Sequence, residues 1–371
     1  MYNELLNMGI DVKLAICGND TSRILDIPYV KVPIVRIKYL RILTFWINGY
    51  LKFLCNYLSF KPNVVIFDIY SIWFSFPFAF LPKRKCIFIV DNRTPIYKEA
   101  FCKHPSLMDR AIKLYTKIAY LYCKYFLDGM TVITEHYKNS ICDNYGFKEE
   151  KMGVWSSGVN IECFNISMTT EKKLSQEDRF VLIQHGEISH DRGLFETVNA
   201  LRLLPDIPVT LLLIGDSVNS NTKDELRNHA ERLGVSRNLI FKPRMPYNEI
   251  PGYIMQSDCA IMAYPNIEYW NNNNPIKLLE YMSLGKVIIC TDMWTFRDVL
   301  KNSNSACYIK DNDPSTIANA IRYCYENRFK LKLWGKEGFE IVKNRFTWKK
   351  QAEELVNFIY KLCKNKNFCN L

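Results

Sequence analysis

Between Ile27 and Val90 the chain contains a single acidic residue, Asp68. It has no Cys-x-x-C pair, and its five histidines show no metal-ligand spacing with one another or with cysteine. That removes the usual zinc-site signatures. No apolar run is both long and unbroken enough for a spanning helix. The longest, Val64 to Leu81, contains Asp68 and Pro77, and reads instead as a buried strand (Val64–Phe67), a loop and a helix leading to the next strand. No secretory-signal pattern, internal repeat or low-complexity tract is visible. The thirteen cysteines are odd in number, and Cys17, Cys86, Cys259 and Cys290 lie in or beside apolar, strand-like runs. This is the pattern of reduced, buried thiols in a cytosolic protein.

The 371 residues are 48% hydrophobic and 23% charged. At roughly 100–200 residues per domain, two globular domains are expected. The net charge of +11 is uneven: +7 falls in the first 165 residues and +4 in the rest. In the acid-poor stretch, Lys31, Arg36, Lys38, Arg41, Lys52, Lys61, Lys83, Arg84 and Lys85 are interleaved with Tyr39, Phe45, Trp46, Tyr50, Phe53 and Tyr57. Such a surface suits an anionic membrane face or an anionic substrate. It equally suits a solvated basic face over an aromatic core. No nucleic-acid-binding motif accompanies it, so no nucleic-acid partner is expected.

Strand-like runs alternate with helical periodicity almost throughout. The strands are expected at Val12–Ile16, Val64–Phe67, Cys86–Val90, Met130–Ile133, Phe180–Gln184, Val209–Ile214, Leu239–Phe241, Cys259–Met262, Val287–Cys290 and Cys307–Ile309. Helical patterns lie at Ile42–Leu58, Leu107–Phe126, Leu194–Leu203, Lys223–Leu233, Lys277–Leu284 and Pro314–Tyr325. The alternation predicts an α/β protein of parallel sheets covered by helices on both faces. A polar stretch from Gly158 to Asp178, with Thr169-Thr170 and Lys172-Lys173, marks the boundary between domains.

Two segments carry candidate chemistry. In Asn271 to Thr291, Asn274 suits a helix N-cap, Pro275 a first helical residue and Gly285 the stop. A helix start offers free N–H groups and a positive dipole end, which favour a diphosphate. Lys277 adds a full charge in the first turn, and Glu280, a turn later, is placed to hold a ribose diol. In His185 to Ala200, a strand ends before Gly186, and Arg192-Gly193 opens the next helix. A cation and a glycine at such a junction also suit an anion. Either segment alone is also an ordinary connection.

Together, the two segments resemble the retaining glycosyltransferases of GT-B fold known as family 4. Gly186 with Arg192-Gly193 matches one family feature. The run from Asn274 to Lys286, NPIKLLEYMSLGK, matches the family's Asn-Pro-x-Lys-x-x-Glu-Tyr-Met-x-x-Gly-Lys signature. Trp155-Ser156-Ser157-Gly158-Val159-Asn160…Phe164, Ile254…Ser257-Asp258-Cys259-Ala260 and Phe346-Thr347-Trp348 are further likenesses. The resemblance covers nearly the whole chain and is strongest in its second half. The family often has two glutamates here, of which Glu280 would be the second and the first falls on Asn272, and Glu187 stands where an arginine is common.

The resemblance implies two Rossmann-like domains facing across a cleft. These are an acceptor domain at 1–160, a nucleotide-sugar domain at 161–345, and a final helix (346–371) returning to the first. Arg192 and Lys277 would be catalytic, stabilising the leaving diphosphate. The donor would be lined by Gly186, Glu187, Arg244, Met245, Asn272, Asn273, Asn274, Pro275, Ile276, Leu278 and Glu280, with the loop from Lys242 to Met245 at the base. Asp91 and Arg93 would face the acceptor, a glycan or lipid-linked hydroxyl, and Gly129, Thr134 and Glu135 are weaker candidates there. No cofactor or metal is implied, with cations and a helix start replacing the ion. The triplet Asp311-Asn312-Asp313, a metal signature in another glycosyltransferase fold, precedes Pro314, and Asp313 reads as an N-cap. The expected location is cytoplasmic, at the inner membrane face. A catalytically weak sugar-nucleotide-binding partner and a sugar-nucleotide epimerase are the alternatives. The family's first strand and glycine-rich loop have no counterpart before Val12, so the native start is expected upstream, by about 25 residues.

Overall fold

The computed structural model describes residues 1–17, 27–35, 37–81, 84–94, 107–165, 179–217 and 221–366. Arg36, Lys83 and the pairs Thr169-Thr170 and Lys172-Lys173 lie outside them, as do the side chains of Lys38 and Tyr39. The chain divides into two compact units, Met1–Trp155 with Ala352–Leu371, and Ser156–Gln351.

The first unit runs α1 (Tyr2–Asn7), β1 (Leu14–Cys17), β2 (Tyr29–Val32), α2 (Lys38–Phe60), β3 (Val64–Asp68), β4 (Ile87–Asn92), α3 (Leu107–Phe126), β5 (Gly129–Val132), α4 (Glu135–Tyr145) and β6 (Met152–Val154). Strands β3-β4-β5-β6 form one parallel sheet in that order, while β1 and β2 pair in a separate parallel ribbon. One sheet face is covered by α2, α3 and α4. Phe53 of α2 packs on Phe67 and Tyr57 on Phe88, and Ala119, Tyr120 and Cys123 of α3 are buried in the same cluster. The aromatics of α2 are therefore core residues. Of the two readings of this stretch, the aromatic core is the one these contacts fit, because Phe45, Trp46 and Tyr50 turn inward onto Phe74. The expected helix after β3 is replaced by two 3₁₀ turns, Ile72–Ser75 and Phe78–Phe80. Pro77, between them, has no N–H for a continuous helix. Cys86, Cys259 and Cys290 are buried as expected, but Cys17 is exposed, because β1 turns alternate residues to solvent.

The second unit continues with β7 (Phe180–His185), α5 (Leu194–Arg202), β8 (Val209–Ile214), α6 (Thr222–Arg232), β9 (Leu239–Lys242), α7 (Ile250–Met255), β10 (Cys259–Met262), α8 (Glu268–Asn271), α9 (Ile276–Ser283), β11 (Val287–Thr291), α10 (Trp294–Leu300), β12 (Ala306–Ile309), α11 (Pro314–Glu326) and α12 (Leu331–Arg345). Its six strands are parallel in the order β12-β11-β10-β7-β8-β9. Buried β-branched and leucine runs let each strand serve two cores. Leu182, Leu211 and Ile289 face α5, α6 and α11, while Ile183, Leu212 and Ile288 face α7, α9 and α10. The last helix, α13 (Trp348–Asn365), begins in this unit and ends in the first. There Phe358 and Leu362 lie on the other face of the small sheet, against Ile87 and Ile89. Asp313 caps α11 by accepting the Ser315 N–H at 2.8 Å.

Candidate active site

In the second unit the chain leaves β7 toward β8 on one side and returns through β10 on the other. The carboxyl ends of β7 and β10 thus form a topological switch point, where open parallel sheets bind ligands. Both sequence candidates come to this point. Gly186 directly follows β7, and α9 follows β10.

Gly186 has φ +101°, in the region that favours glycine, and a side chain there would sit 3.0 Å from the Lys277 Nζ. The glycine therefore lets the lysine reach the strand end. The Lys277 ammonium is buried and has no hydrogen-bond partner. Burial pushes its pKa down from 10.5, a shift opposed by the nearby Tyr264 hydroxyl. A buried, unpaired cation at a helix start is an unsatisfied anion site. Asn272 Oδ1 and Asn274 Oδ1 beside it are also buried without partners.

Arg192 approaches from the other loop. Its guanidinium donates to the Tyr264 hydroxyl at 3.1 Å and to Glu187 at 3.2 Å, and lies 5.0 Å from the Trp270 ring centre. Gly193 turns the chain here at φ +66°, and a side chain on it would overlap the Ala263 carbonyl at 1.7 Å. Arg192 is thus fixed against β10, and Glu187 serves as its counter-ion.

Glu280 lies one turn along α9, buried, with His185 Nε2 at 2.7 Å from its Oε2. The Tyr281 hydroxyl accepts the His185 N–H at 3.0 Å and stands 2.9 Å from Nδ1. A carboxylate only accepts, so Nε2 carries the ring proton and Tyr281 donates to Nδ1. Burial holds the imidazole below its ordinary 6.5, with the Glu280 carboxylate pulling the other way. Burial and then Glu280 push the phenol of the half-exposed Tyr247 above its ordinary value. Since the folded state disfavours protonated His185, stability is complete above pH 6.5 and falls as the pH drops through the lowered value. The melting temperature is expected to decline below pH 6.5 and to decline less steeply in His185→Gln. One proton contributes at most about 1.4 kcal/mol per pH unit. Identical slopes for the two proteins would contradict the buried neutral histidine.

The remaining candidates separate. Asn274 does not cap α9: its side-chain amide donates to Ser156 Oγ, and Pro275 takes the cap position with Ile276 first in the helix. Proline at that position already presets the entry backbone. Asn273 donates to the Tyr269 carbonyl at 2.7 Å, Ile276 is exposed and Leu278 is wholly in the core. Arg244 and Met245 follow the edge strand β9. The Arg244 N–H binds Asp216 at 3.2 Å, and Met245 packs half-buried on the α9-side core.

In the first unit, Asp91 and Asn92 end β4 instead of following it, paired with Thr131 and Val132. Asp91 accepts from Thr131 at 2.7 Å and from the Trp155 indole at 3.1 Å, and burial raises its pKa against the pull of Arg93. Arg93 stacks 3.6 Å over the Trp155 ring and donates to its carbonyl. Gly129 lies beneath Leu362 and Phe358, and Thr134 caps α4 by accepting the Tyr137 N–H, with Glu135 in the first turn. The sequence did not single out His185, Tyr264, Trp270 or Tyr281. A His-Gly pair closing a buried strand was the available signal for the first.

Residues 167–341 match the family model described as Glycosyl transferases group 1. That match spans just under half of the chain. Over 230 residues it is 22% identical to the uncharacterized glycosyltransferase MJ1069 of Methanocaldococcus jannaschii, covering 61% of this chain and 57% of that one. It thus spans a little over half the length of that curated relative. The structure resembles that of a glycosyltransferase from Rickettsia africae, with TM-score 0.75 and 16% identity over 97% of this chain and 92% of the other. It also resembles Anabaena HepE in complex with UDP, with TM-score 0.68 and 15% identity over 89% and 86%. These likenesses show the fold, an α/β GT-B architecture of two Rossmann-like units.

Proposed function

We propose that the protein transfers a sugar from a nucleoside diphosphate sugar to a hydroxyl of a glycan or lipid-linked acceptor. The transfer would proceed with retention, as in family 4, during polysaccharide synthesis at the cytoplasmic face of the membrane. The observation that carries this reading is the buried, unpartnered Lys277 ammonium at the start of α9, at the β7–β10 switch point beside Arg192. Transfer breaks the bond between the sugar and the diphosphate, and negative charge builds on the departing phosphate. Fixed cations and N–H dipoles at that place lower the barrier because they need no reorganisation. Lys277 and Arg192 supply the charge, and α9 supplies the dipole end. Glu280, oriented by His185, accepts from the ribose diol. Gly186 lets the phosphate approach the strand end.

Anabaena HepE, of the same fold, has been solved with UDP and with UDP-glucose, which supports a uridine donor as the first choice. Metal independence is proposed with it, since Asp313 is spent on capping and Asp311 accepts the Asp313 N–H at 3.2 Å. The basic, acid-poor stretch from Ile27 to Val90 supports contact with an anionic membrane.

The test is thermal denaturation with UDP- and GDP-sugars, followed by assay of nucleoside diphosphate release with and without chelator. Ligand at 100 times its dissociation constant is expected to add about 2.7 kcal/mol. Release should survive chelation. Failure of every nucleotide sugar to shift the transition would end the donor-site reading. A shift without turnover on any acceptor would favour the second reading, a sugar-nucleotide-binding partner. The Glu187–Arg192 ion pair favours that alternative, because it partly neutralises a catalytic cation.

A further inference from the structure

Two helices of the first unit are apolar on the side turned away from their sheet. On α2, Leu40, Leu43, Ile47, Leu51 and Leu58 recur at helical spacing and are 44% to 58% exposed. On α3, Leu107, Leu114, Ile118, Leu121 and Tyr125 do the same, at 36% to 84%. At 100° per residue, each stripe falls within about a third of the helix circumference, opposite the residues that bind the sheet on α3 and about a third of a turn round from the aromatics that bind it on α2. Both helices cover the same sheet face, so both stripes face outward from one layer. The 3₁₀ turns between β3 and β4 join them. Phe74 packs on Phe45 of α2, Phe80 on Phe126 of α3, and Phe76, Phe80 and Leu81 remain exposed. Exposed apolar side chains gathered on one layer are the usual mark of an interaction surface.

The charges beside the stripes are of one sign. Helix α2 contains no acidic residue, and Arg41 and Lys52 flank its stripe. Arg110 and Lys117 flank the stripe of α3, whose one acid, Asp109, lies in its first turn. An isologous contact with a second copy would set this basic rim against itself. An anionic lipid surface answers both properties, apolar side chains entering the acyl boundary and bases meeting headgroups.

We infer that the outer faces of α2 and α3 form a bilayer-docking surface that inserts leucine side chains among anionic lipids. This deepens the membrane contact proposed above and needs no assignment of donor or acceptor. The inserted groups are the aliphatic stripes, while the aromatics of α2 stay in the core. The length fits an in-plane helix, since the eighteen steps from Leu40 to Leu58 run about 27 Å. Among the described residues no helix is long and apolar enough to cross a membrane.

The full chain should be tested by flotation with phosphatidylcholine vesicles with and without phosphatidylglycerol, at low and high salt. Wild type should bind the phosphatidylglycerol vesicles and keep part of that binding at high salt. Ile47→Ser with Leu51→Ser, and Leu114→Ser with Ile118→Ser, should each weaken it by about tenfold or more at both salt levels. These positions are exposed, so the melting temperature should hold. The nucleotide-sugar shift measured without vesicles reads the donor site separately. Unchanged binding by both serine pairs, or no binding by wild type, overturns the proposal. So does a wild-type dimer, abolished by the same substitutions, that does not float.

Discussion

Lys277→Ala and Arg192→Ala are each expected to lower sugar transfer by about 10²–10³ while the protein stays folded, the usual cost of losing one fixed donor to a developing charge. The two cations reach the switch point from different loops, so neither substitute can move into the other's place. Arg192 is held by Tyr264, Trp270 and Glu187. Lys277 is held by burial and by the space left at Gly186. Most of the loss should fall on kcat, because the charge appears as the phosphate departs. The double variant should cost less than the product of the single losses if both cations serve the same phosphates. Steady-state release of nucleoside diphosphate, with a melting curve for each variant, is the measurement. Folded variants with near wild-type turnover would remove both residues from the reaction.

The strands most legible in the sequence were those buried on both faces. Val209–Ile214 and Cys259–Met262 are where the unbroken apolar runs put them. Two strands were not visible, Tyr29–Val32 and Met152–Val154. Met152–Val154 is three residues long with Gly153 at its centre, where a side chain would stand 2.5 Å from the ring of Phe358. Its burial depends on a helix two hundred residues away. Helix α12 was hidden by Gly335 and Gly338, which lower helix propensity. The fold accounts for the first of these: a Cβ on Gly335 would lie 1.7 Å from the Gly285 carbonyl. Close passage of α12 over the end of α9 required the residue that hid the helix.

The candidate site divides in the same way. Its local parts, a glycine after a strand and a lysine in a first turn, were visible as spacing. Its contacts were not. His185 meets Glu280 across 95 residues of sequence, and Tyr264 and Trp270 support Arg192 across more than seventy. Only the return of β10 beside β7 brings them together. The end of β4 at Asp91 shows the same limit from the other side. It has the residue types of a site, yet its carboxylate and guanidinium are both engaged by Trp155.

Replacing Lys277 with methionine should stabilise the unliganded protein while removing most of its response to nucleotide. The ammonium is buried without a partner, and burial depresses its pKa from 10.5. Folding at neutral pH therefore carries the desolvation of a charge that the Tyr264 hydroxyl and Glu280 offset only in part until an anion arrives. Methionine keeps most of the volume and the flexible stem but has no charge to bury. The gain is expected at about 1–3 kcal/mol, the penalty for leaving a buried polar group unmatched. The sign with pH follows from the depressed pKa. The group's full contribution is present above its unfolded value of 10.5 and is lost as the pH falls through the folded value. The advantage of Lys277→Met should therefore be largest near neutrality and shrink as the pH rises toward 10.5. With a saturating nucleoside diphosphate the order should reverse, because wild type gains the binding free energy and the variant gains little of it. Chemical denaturation of both proteins, with and without UDP, measures all three effects. A variant less stable than wild type without ligand would mean that the Lys277 ammonium is already satisfied in the free protein. That result would withdraw the anion site at the start of α9.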